Sequence, residues 1–223
     1  LKGKVDKVEA YYGLQGSMMG RNQLTDKTEI SLETNSGIKY LTLYPGEDGK
    51  IESVKVDMGK AILVPRDIPV DSALERFIAQ PVEVAGKTYE MTCVSMGNPH
   101  AIVFLPEVNS LDLEKIGPSF EHHVLFPNRV NTEFVRVIND HELQMRVWER
   151  GSGETFACGT GACATAVAAV LNGYCKKGEE ILIHLRGGDL RIIYHEDENV
   201  TMIGPATYVF EGKINVPVSC RTL

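Results

Sequence analysis

A chain of 223 residues with 43% hydrophobic and 24% charged residues has the size and composition of a globular protein with one large or two small domains. Its formal net charge of −7 argues against a nucleic-acid or anionic-membrane partner, and neither a transmembrane-length apolar run nor a signal-peptide pattern is present. Five cysteines without a Cys-x-x-Cys pair fit reduced thiols better than a disulfide framework or a zinc site, so we expect a cytoplasmic protein without a bound metal.

Strand signals begin after a stretch, residues 1–23, in which no period is convincing. Two alternating runs, 29–34 and 38–44, flank Asn35-Ser36-Gly37 and predict a hairpin. Alternating patterns predict further strands at 51–57, 82–95, 101–105, 132–138, 142–149, 180–185, 190–195 and 199–203. Helical patterns are confined to 71–79, 111–123 and 158–172. The predicted fold class is therefore α+β, with mostly antiparallel strands wrapped around one buried helix.

The helix at 158–172 is predicted to be the buried one, because its small and apolar residues leave it no clearly polar face. Cys158 stands just before Gly159-Thr160-Gly161 at its start, and Asn172-Gly173 is a typical C-terminal stop signal. Cys163 points elsewhere on the same helix and is predicted to lie in the core. The helix start is therefore the stretch to examine for chemistry.

Cys158 is a candidate reactive thiol, because the unpaired N–H groups at a helix start favour thiolate and are expected to lower the pKa of the thiol. The same N–H groups can bind a substrate carboxylate. A packed, inert cysteine is the alternative for a lone Cys-Gly-x-Gly segment. The charged residues Glu149, Arg150 and Glu154 shortly before Cys158 favour the reactive interpretation, because structure alone does not require charge near a thiol.

Four segments, in the same order as in the family, resemble those of diaminopimelate epimerases. Residues 149–163 resemble the family's second cysteine motif, and residues 96–100 (Met-Gly-Asn-Pro-His) resemble its Gly-Asn-Pro-His segment. Residues 126–131 are similar to its Arg-x-Asn strand entry, and 202–206 to its closing Gly-Pro-Ala. The resemblance runs from about residue 24 to residue 216 and identifies the chain as a member of this family.

The resemblance implies a fold of two pseudo-symmetric lobes, each a curved sheet around a central helix, with the active site between them. Residues 1–60 would be a remnant of the N-terminal lobe, and 61–210 the C-terminal lobe with Cys158 and the central helix. Residues 211–223 would return to the N-terminal lobe or form a tail. It also implies cofactor-independent epimerisation of LL-2,6-diaminopimelate to meso-diaminopimelate, a step of lysine and peptidoglycan biosynthesis.

The resemblance assigns five residues to the reacting centre of the substrate. Cys158 would be one of two thiols that act as acid and base on opposite faces of the α-carbon. Gly159 and Thr160 would bind the α-carboxylate. Glu149 would hold the ammonium group and influence ionisation of the thiol, and His100 would also tune the cysteines. These five residues are the expected catalytic half-site of this chain.

Three further residues, Asn98, Asn131 and Arg150, would by resemblance bind the distal carboxylate, with Arg150 as its bidentate partner. Each assignment has a structural alternative. Asn98 before a proline fits ordinary turn chemistry, and His100 fits the end of a strand. Arg150 has the spacing to pair with Glu154, and Asn131 at a strand entry is uninformative without the family.

The family pattern is incomplete in one respect. A first catalytic cysteine is expected upstream of Leu24, but Leu14 stands near that point and no cysteine precedes Cys93. Because one thiol cannot serve both faces of the carbon, we expect the 223-residue chain to be part of a longer enzyme and to be inactive or severely impaired alone. The alternatives are a truncated, non-catalytic lobe that binds a ligand, and a proline-racemase-like isomerase with another small substrate. No cofactor is implied, the expected partner is a small-molecule substrate, and a homodimer is compatible with the sequence.

Overall fold

The computed structural model describes residues 26–34 and 37–207, which contain one sheet, two α-helices and a short 3₁₀ turn. The helices are α1 (Leu113–Glu121) and α2 (Gly159–Leu171), and the 3₁₀ turn is Pro65–Asp67. The strands are β1 (Glu29–Thr34), β2 (Gly37–Pro45), β3 (Ile51–Lys60), β4 (Gln80–Val84), β5 (Lys87–Ser95), β6 (Pro99–Phe104), β7 (Asn131–Asn139), β8 (Glu142–Glu149), β9 (Gly153–Thr155), β10 (Glu180–Leu185), β11 (Gly188–Tyr194) and β12 (Asn199–Pro205).

The strands of the described ranges form one twelve-stranded sheet in which most neighbours are antiparallel. Its order is β1-β2-β3-β12-β11-β10-β8-β7-β6-β5-β4, and β9 pairs with β8 outside this path. Two pairs are parallel, β6 with β7 and β8 with β10. Because β8 runs antiparallel to β7, the starts of β6 and β7 lie at the same edge of the sheet as the end of β8.

Helix α2 is the centre around which this sheet curves. It contacts strands from β5 to β12, which are six ladder steps apart in the sheet. At about 4.8 Å per step those strands would span about 29 Å in a flat sheet, which is wider than the 10–12 Å or so of a helix. The sheet therefore wraps around the helix, and residues 161–169 are all buried. The predicted α+β class, with mostly antiparallel strands around a buried helix, is confirmed.

Helix α1 builds a second core on the opposite face of the sheet. Phe120 of α1 packs against Phe134 of β7 with ring centroids 5.1 Å apart, and Trp148 of β8 joins the same cluster. Val135, the next residue on β7, lies in the core around α2. Strand β7 is therefore buried on both faces, and by alternation Glu133 shares the α2 face with Val135.

The structure corrects three sequence predictions of secondary structure. Residues 71–79 are not helical, because their backbone groups form long-range hydrogen bonds instead: the Asp71 N–H donates to the Leu125 carbonyl, and the Phe77 carbonyl accepts from the Cys93 N–H. The predicted strand at 82–95 is a hairpin, β4–β5, with both turn residues at positive φ. Strand β9 lies in the loop before Cys158, where no strand was predicted.

Several expectations lie outside the described residues or stay untested. The missing first cysteine motif near Leu14 and the segment 211–223 lie outside them. The division into 1–60, 61–210 and 211–223 stays a prediction, although β3 and β12 pair directly across the boundary at residue 60. Within 26–34 and 37–207, no helix is long and apolar enough to cross a membrane.

Candidate active site

The sequence-predicted site residues come together because the fold gathers three strand ends at one edge of the sheet. Asn98 immediately precedes β6, Asn131 opens β7, and Glu149 closes β8. In the parallel ladder of β6 and β7, His100 lies beside Asn131. The start of α2 reaches the same region, so that Thr160 contacts Asn98, which lies 62 positions earlier in the sequence.

Cys158 is the N-cap residue of α2. Its sulfur accepts a hydrogen bond from the backbone N–H of Gly161 at 3.4 Å and lies 3.6 Å from the Thr160 hydroxyl. The residue is only 7% exposed. Thus the predicted helix start places a buried thiol against the N–H groups of the first helical turn, in the usual position of a capping oxygen.

A chain of hydrogen bonds connects this thiol to His100. Asn98 donates through Nδ2 to the Thr160 hydroxyl at 3.2 Å, and its Oδ1 lies 3.1 Å from Nε2 of His100. His100 is fully buried, and its Nδ1 lies 2.7 Å from Oε1 of Glu133. Four residues predicted from the sequence, Cys158, Thr160, Asn98 and His100, are therefore connected in one network.

The last member of the chain, Glu133, was not predicted from the sequence. Its side chain is completely buried, and a β-carbon built on Gly161 would lie 2.6 Å from its Oε1. Only glycine therefore allows the helix to approach the carboxylate so closely. The sequence does contain one indication of its role. Glu133 is a carboxylate within a strand that is otherwise buried on both faces, and an unpaired buried charge is costly, so a partner is expected.

The pKa of Cys158 contradicts the expectation of a thiol activated by the helix. It is raised from an ordinary value of 9.0 to about 12. Burial is the largest cause, because a thiolate loses its hydration, and the negative charges of Glu133 and Glu149 act in the same direction. Hydrogen bonds from Thr160 and Gly161 lower the pKa but do not outweigh these effects. Cys158 is therefore predominantly a thiol at neutral pH.

Of the residues expected to contact a distal carboxylate, Asn131 opens β7 and Arg150 lies in the loop that follows β8. Asn131 is buried and accepts a hydrogen bond from the backbone N–H of Arg150 at 2.9 Å. Arg150 is exposed, and its Nη1 donates to the Asn128 carbonyl at 3.0 Å. Glu149 accepts a hydrogen bond from the Thr155 hydroxyl of β9. Asn131 thus holds the loop that presents both charged residues.

Glu154 is not part of this site, contrary to the expectation that it contributes charge near the thiol or pairs with Arg150. Its carboxylate accepts from Arg146 at 2.8 and 3.0 Å and lies 2.9 Å from Nη1 of Arg186. Arg146 in turn donates to backbone carbonyls of the segment that precedes α1. Glu154 is therefore part of a structural cluster that attaches β9 to its neighbours.

A second buried carboxylate, Glu121 of α1, fixes the loop after Glu149. It accepts hydrogen bonds from the Trp148 indole at 2.7 Å, the Gly151 N–H at 2.9 Å and the Arg129 guanidinium at 3.1 Å. Burial alone would raise the pKa of Glu121, but these donors hold it below its usual value. The loop that carries Arg150 is therefore anchored at Gly151, one residue beyond it.

The remaining described cysteines are structural. Cys93, Cys163 and Cys175 are buried, and burial raises the pKa of each thiol. The placement of Cys163 in the core was predicted correctly. In the part of the chain that the structure describes, no group of three or more His, Cys, Asp or Glu side chains is arranged to hold a metal ion.

Sequence comparison connects this geometry to a known family. A family model described as diaminopimelate epimerase matches residues 92–209, which contain every site residue named above. A diaminopimelate epimerase of Agathobacter rectalis is 55% identical over 203 residues, 87% of this chain and 70% of that protein. That of Acetivibrio thermocellus is 54% identical over 194 residues, 86% of this chain and 68% of that protein. That of Methanococcus maripaludis is 50% identical over 202 residues, 90% of this chain and 72% of that protein.

Solved structures with low sequence identity share the fold. A probable proline racemase of Agrobacterium radiobacter superposes with a TM-score of 0.67 at 13% identity, over 91% of this chain and 66% of that one. A predicted epimerase of Pseudomonas aeruginosa gives a TM-score of 0.59 at 16% identity, over 91% of this chain and 72% of that one. At such identities the similarity concerns the fold and not the reaction.

Proposed function

Because the chain belongs to the diaminopimelate epimerase family, we propose that it takes part in the cofactor-independent epimerisation of LL-2,6-diaminopimelate to meso-diaminopimelate. In this proposal Cys158 is one of two acid/base thiols that act on the α-carbon. The observation that carries the proposal is the position of Cys158 at the N-cap of buried helix α2, hydrogen-bonded to Gly161 and close to Thr160. A purely structural cysteine would not need this polar surrounding.

The start of α2 is suited to stabilise the carbanion that proton removal leaves. As the α-proton departs, negative charge moves onto the substrate's carboxylate, and N–H groups aimed at that carboxylate stabilise the transition state. The first N–H groups of a helix have no partner within the helix. Since the Gly161 N–H is directed to the Cys158 sulfur, those of Gly159 and Thr160 would bind the α-carboxylate.

Cys158 would begin the reaction from LL-diaminopimelate as the acid. Its raised pKa keeps it protonated at neutral pH, so that it can deliver a proton to one face of the carbanion. The other thiol would remove the α-proton from the opposite face, and the roles would reverse in the return reaction. In the resting site the charge of Glu149 contributes to the high pKa of Cys158. A substrate ammonium group paired with Glu149 would offset that charge and ease ionisation of the thiol.

The distal end of the substrate would be bound by Arg150 with Asn98 and Asn131. Arg150 is exposed next to the site, and its backbone is held by Asn131, so its guanidinium is presented to a ligand from an anchored loop. An arginine next to a second polar group suits a substrate with a carboxylate at each end. A proline-like substrate, which has one carboxylate, would not use this arginine. We therefore favour diaminopimelate over the substrate of a proline-racemase-like isomerase.

Ligand binding to Arg150→Ala tests the substrate assignment, with lysine as the comparison ligand. Lysine is diaminopimelate without the distal carboxylate, so it reports the contribution of the reacting end alone. The substitution should weaken calorimetric binding of diaminopimelate by on the order of tenfold or more, and leave lysine binding unchanged, because a charge-assisted pair is lost only for the longer ligand. Arg191→Ala, an exposed arginine on β11, is the matched control. Equal affinities of diaminopimelate for Arg150→Ala and the wild type would refute the assignment.

The second thiol is the part of the proposal that this sequence does not supply by itself. No cysteine precedes Cys93 in the 223 residues, so we propose that this polypeptide alone binds substrate at one half-site and does not invert it at a useful rate. A non-catalytic lobe that only binds a ligand is the competing function. The two differ in whether Cys158 exchanges a proton with the substrate, which binding alone does not require.

A further inference from the structure

The chain of hydrogen bonds behind Cys158 ends on a carboxylate with one partner. Glu133 and His100 are both 0% exposed, and Nδ1 of His100 lies 2.7 Å from Oε1 of Glu133. Within the described ranges, the other oxygen of Glu133, Oε2, has no hydrogen-bond partner. A buried carboxylate that is this poorly satisfied is costly unless its one partner carries a compensating charge.

The orientation of Asn98 provides a second, independent indication of that charge. Asn98 uses its only donor group, Nδ2, toward Thr160 and turns its oxygen toward Nε2 of His100. Both ring nitrogens of His100 therefore face oxygen acceptors, and an imidazole can donate from both nitrogens only when it is protonated.

The direction of the remaining hydrogen bonds follows from this protonation state. Thr160 receives a hydrogen from Asn98, so its own hydroxyl hydrogen is available to the Cys158 sulfur, which lies 3.6 Å away. A neutral ring that accepts at Nε2 would require the Asn98 amide to turn over. The Thr160 hydroxyl would then donate to Asn98, and the sulfur would lose that donor.

We propose that Glu133 is a positioning residue that holds His100 as an imidazolium, and that this cation directs the Thr160 hydroxyl, through Asn98, toward Cys158. The arrangement stabilises the thiolate relative to the thiol, because the donor to sulfur matters most when the sulfur is charged. Its relevance to epimerisation rests on the proposed function, in which Cys158 must ionise during each cycle.

The ionisable groups around this relay come from five elements. Glu133 lies on β7 and His100 on β6, Cys158 caps α2, and Glu149 ends β8. Cys93 of β5 also senses the charge of Glu133, but its buried thiol has a strongly raised pKa and stays neutral. The negative charge of Glu133 taken alone raises the pKa of Cys158, and in the proposed relay the imidazolium of His100, 2.7 Å away, offsets that charge. Replacing Glu133 by Gln with loss of the ring proton therefore leaves the net charge beside Cys158 unchanged. What changes is the strength and direction of the hydrogen bonds.

The protonation state of His100 is the first test, and it is independent of turnover. Nitrogen-15 NMR of the histidine-labelled 223-residue chain distinguishes a doubly protonated ring from either neutral tautomer. We expect the His100 ring to be doubly protonated at pH 7.5 in the wild type and neutral in Glu133→Gln, because both ring nitrogens face oxygen atoms only in the wild type. Glu90→Gln, an exposed glutamate on β5, is the matched control and should leave His100 doubly protonated. A neutral His100 ring in the wild type would overturn the proposal.

The second test measures whether the relay reaches the sulfur. The rate of Cys158 alkylation by iodoacetamide, followed by peptide mass spectrometry at fixed pH, reports the thiolate population. Thr160→Val should slow alkylation by about tenfold, the value of one hydrogen bond to a charged group, whereas Thr160→Ser should retain most of the rate. Glu133→Gln should slow it by on the order of fivefold, because a neutral ring polarises the chain less. Faster alkylation in Glu133→Gln would instead show Glu133 acting as an uncompensated negative charge, and would overturn the relay.

The alkylation rate of a double variant, Glu133→Gln with Thr160→Val, completes the test. If Glu133 acts through Thr160, the double variant should alkylate no more than about twofold slower than Thr160→Val alone. Multiplicative effects would show independent actions and overturn the relay. If Glu133→Gln does not fold, as judged by circular dichroism, the relay is still tested by the wild-type NMR spectrum and by the alkylation rates of Thr160→Val and Thr160→Ser. Because neither readout involves substrate, their failure is distinguishable from failure of the proposed function, which is read from exchange at the α-carbon.

Discussion

Glu149→Gln is the most informative single change at the site, because it separates the electrostatics of Cys158 from its burial. Burial and the nearby carboxylates raise the pKa of Cys158 to about 12, so only a small fraction of the thiol is ionised at pH 8. Burial is the largest cause of the raised pKa, the negative charge of Glu133 is the second, and that of Glu149 is the third. The amide oxygen of Gln can still accept from Thr155, so the change removes the charge and keeps the local hydrogen bond.

Loss of one nearby negative charge should increase the thiolate population about tenfold. We therefore expect Cys158 of Glu149→Gln to react with iodoacetamide about tenfold faster at pH 8, with the Cys158 peptide quantified by mass spectrometry. Iodoacetamide is uncharged, so the substitution does not alter its attraction to the site. Glu90→Gln is the control for the loss of one carboxylate elsewhere. An unchanged or slower rate would refute the reasoning that Glu149 opposes ionisation of the thiol.

Two further predictions concern stability. Gly161→Ala should lower the free energy of urea unfolding by about 2 kcal/mol, because the new β-carbon would lie 2.6 Å from Glu133 Oε1. Gly159→Ala should lower it clearly less, because its β-carbon would meet only the flexible side chain of Met202 at 3.2 Å. Equal losses of stability in the two variants would contradict this packing explanation. Glu121→Gln should cost about 2 kcal/mol near pH 7. The pKa of Glu121 is lowered in the folded state, so its contribution is complete above the unfolded pKa of about 4.3 and is lost as the pH falls through the folded value. The difference between wild type and variant should therefore shrink below about pH 4, and a constant difference would rule out the charged form as its source.

Much of the fold could be predicted because its strongest signals are local. Helix α2 was recognisable from a run of small apolar residues between Cys158 and Asn172-Gly173, and most strands from alternation. The helix expected at 71–79 does not form, because Phe77 packs in the core and its carbonyl accepts a hydrogen bond from the Cys93 N–H of β5. These are tertiary contacts, which local helix propensity does not predict. The sequence carries no strong signal for the β4–β5 turn, because Ala85 takes the left-handed conformation that Asn or Gly usually provides.

The candidate site was predictable by residue type but not by its connections. The motifs contained Cys158, Thr160, Asn98 and His100, and the structure connects them by contacts of 3.6 Å or less. Glu133 was missed because a residue on β7 meets α2 only after the sheet has curved around the helix. The pKa of Cys158 was misjudged for a related reason: the helix start is visible in the sequence, whereas burial and two converging carboxylates are properties of the assembled fold.

Hydrogen exchange at the D-configured α-carbon of meso-diaminopimelate in D₂O, the centre for which Cys158 is the proposed base, tests most directly whether Cys158 is an acid/base thiol. NMR and mass spectrometry would follow deuterium incorporation and configuration with the 223-residue chain, its Cys158→Ser variant and the control Cys163→Ala. We predict slow exchange without inversion that is lost in Cys158→Ser and retained in Cys163→Ala. Exchange that continues at the wild-type rate in Cys158→Ser would contradict the assignment of Cys158.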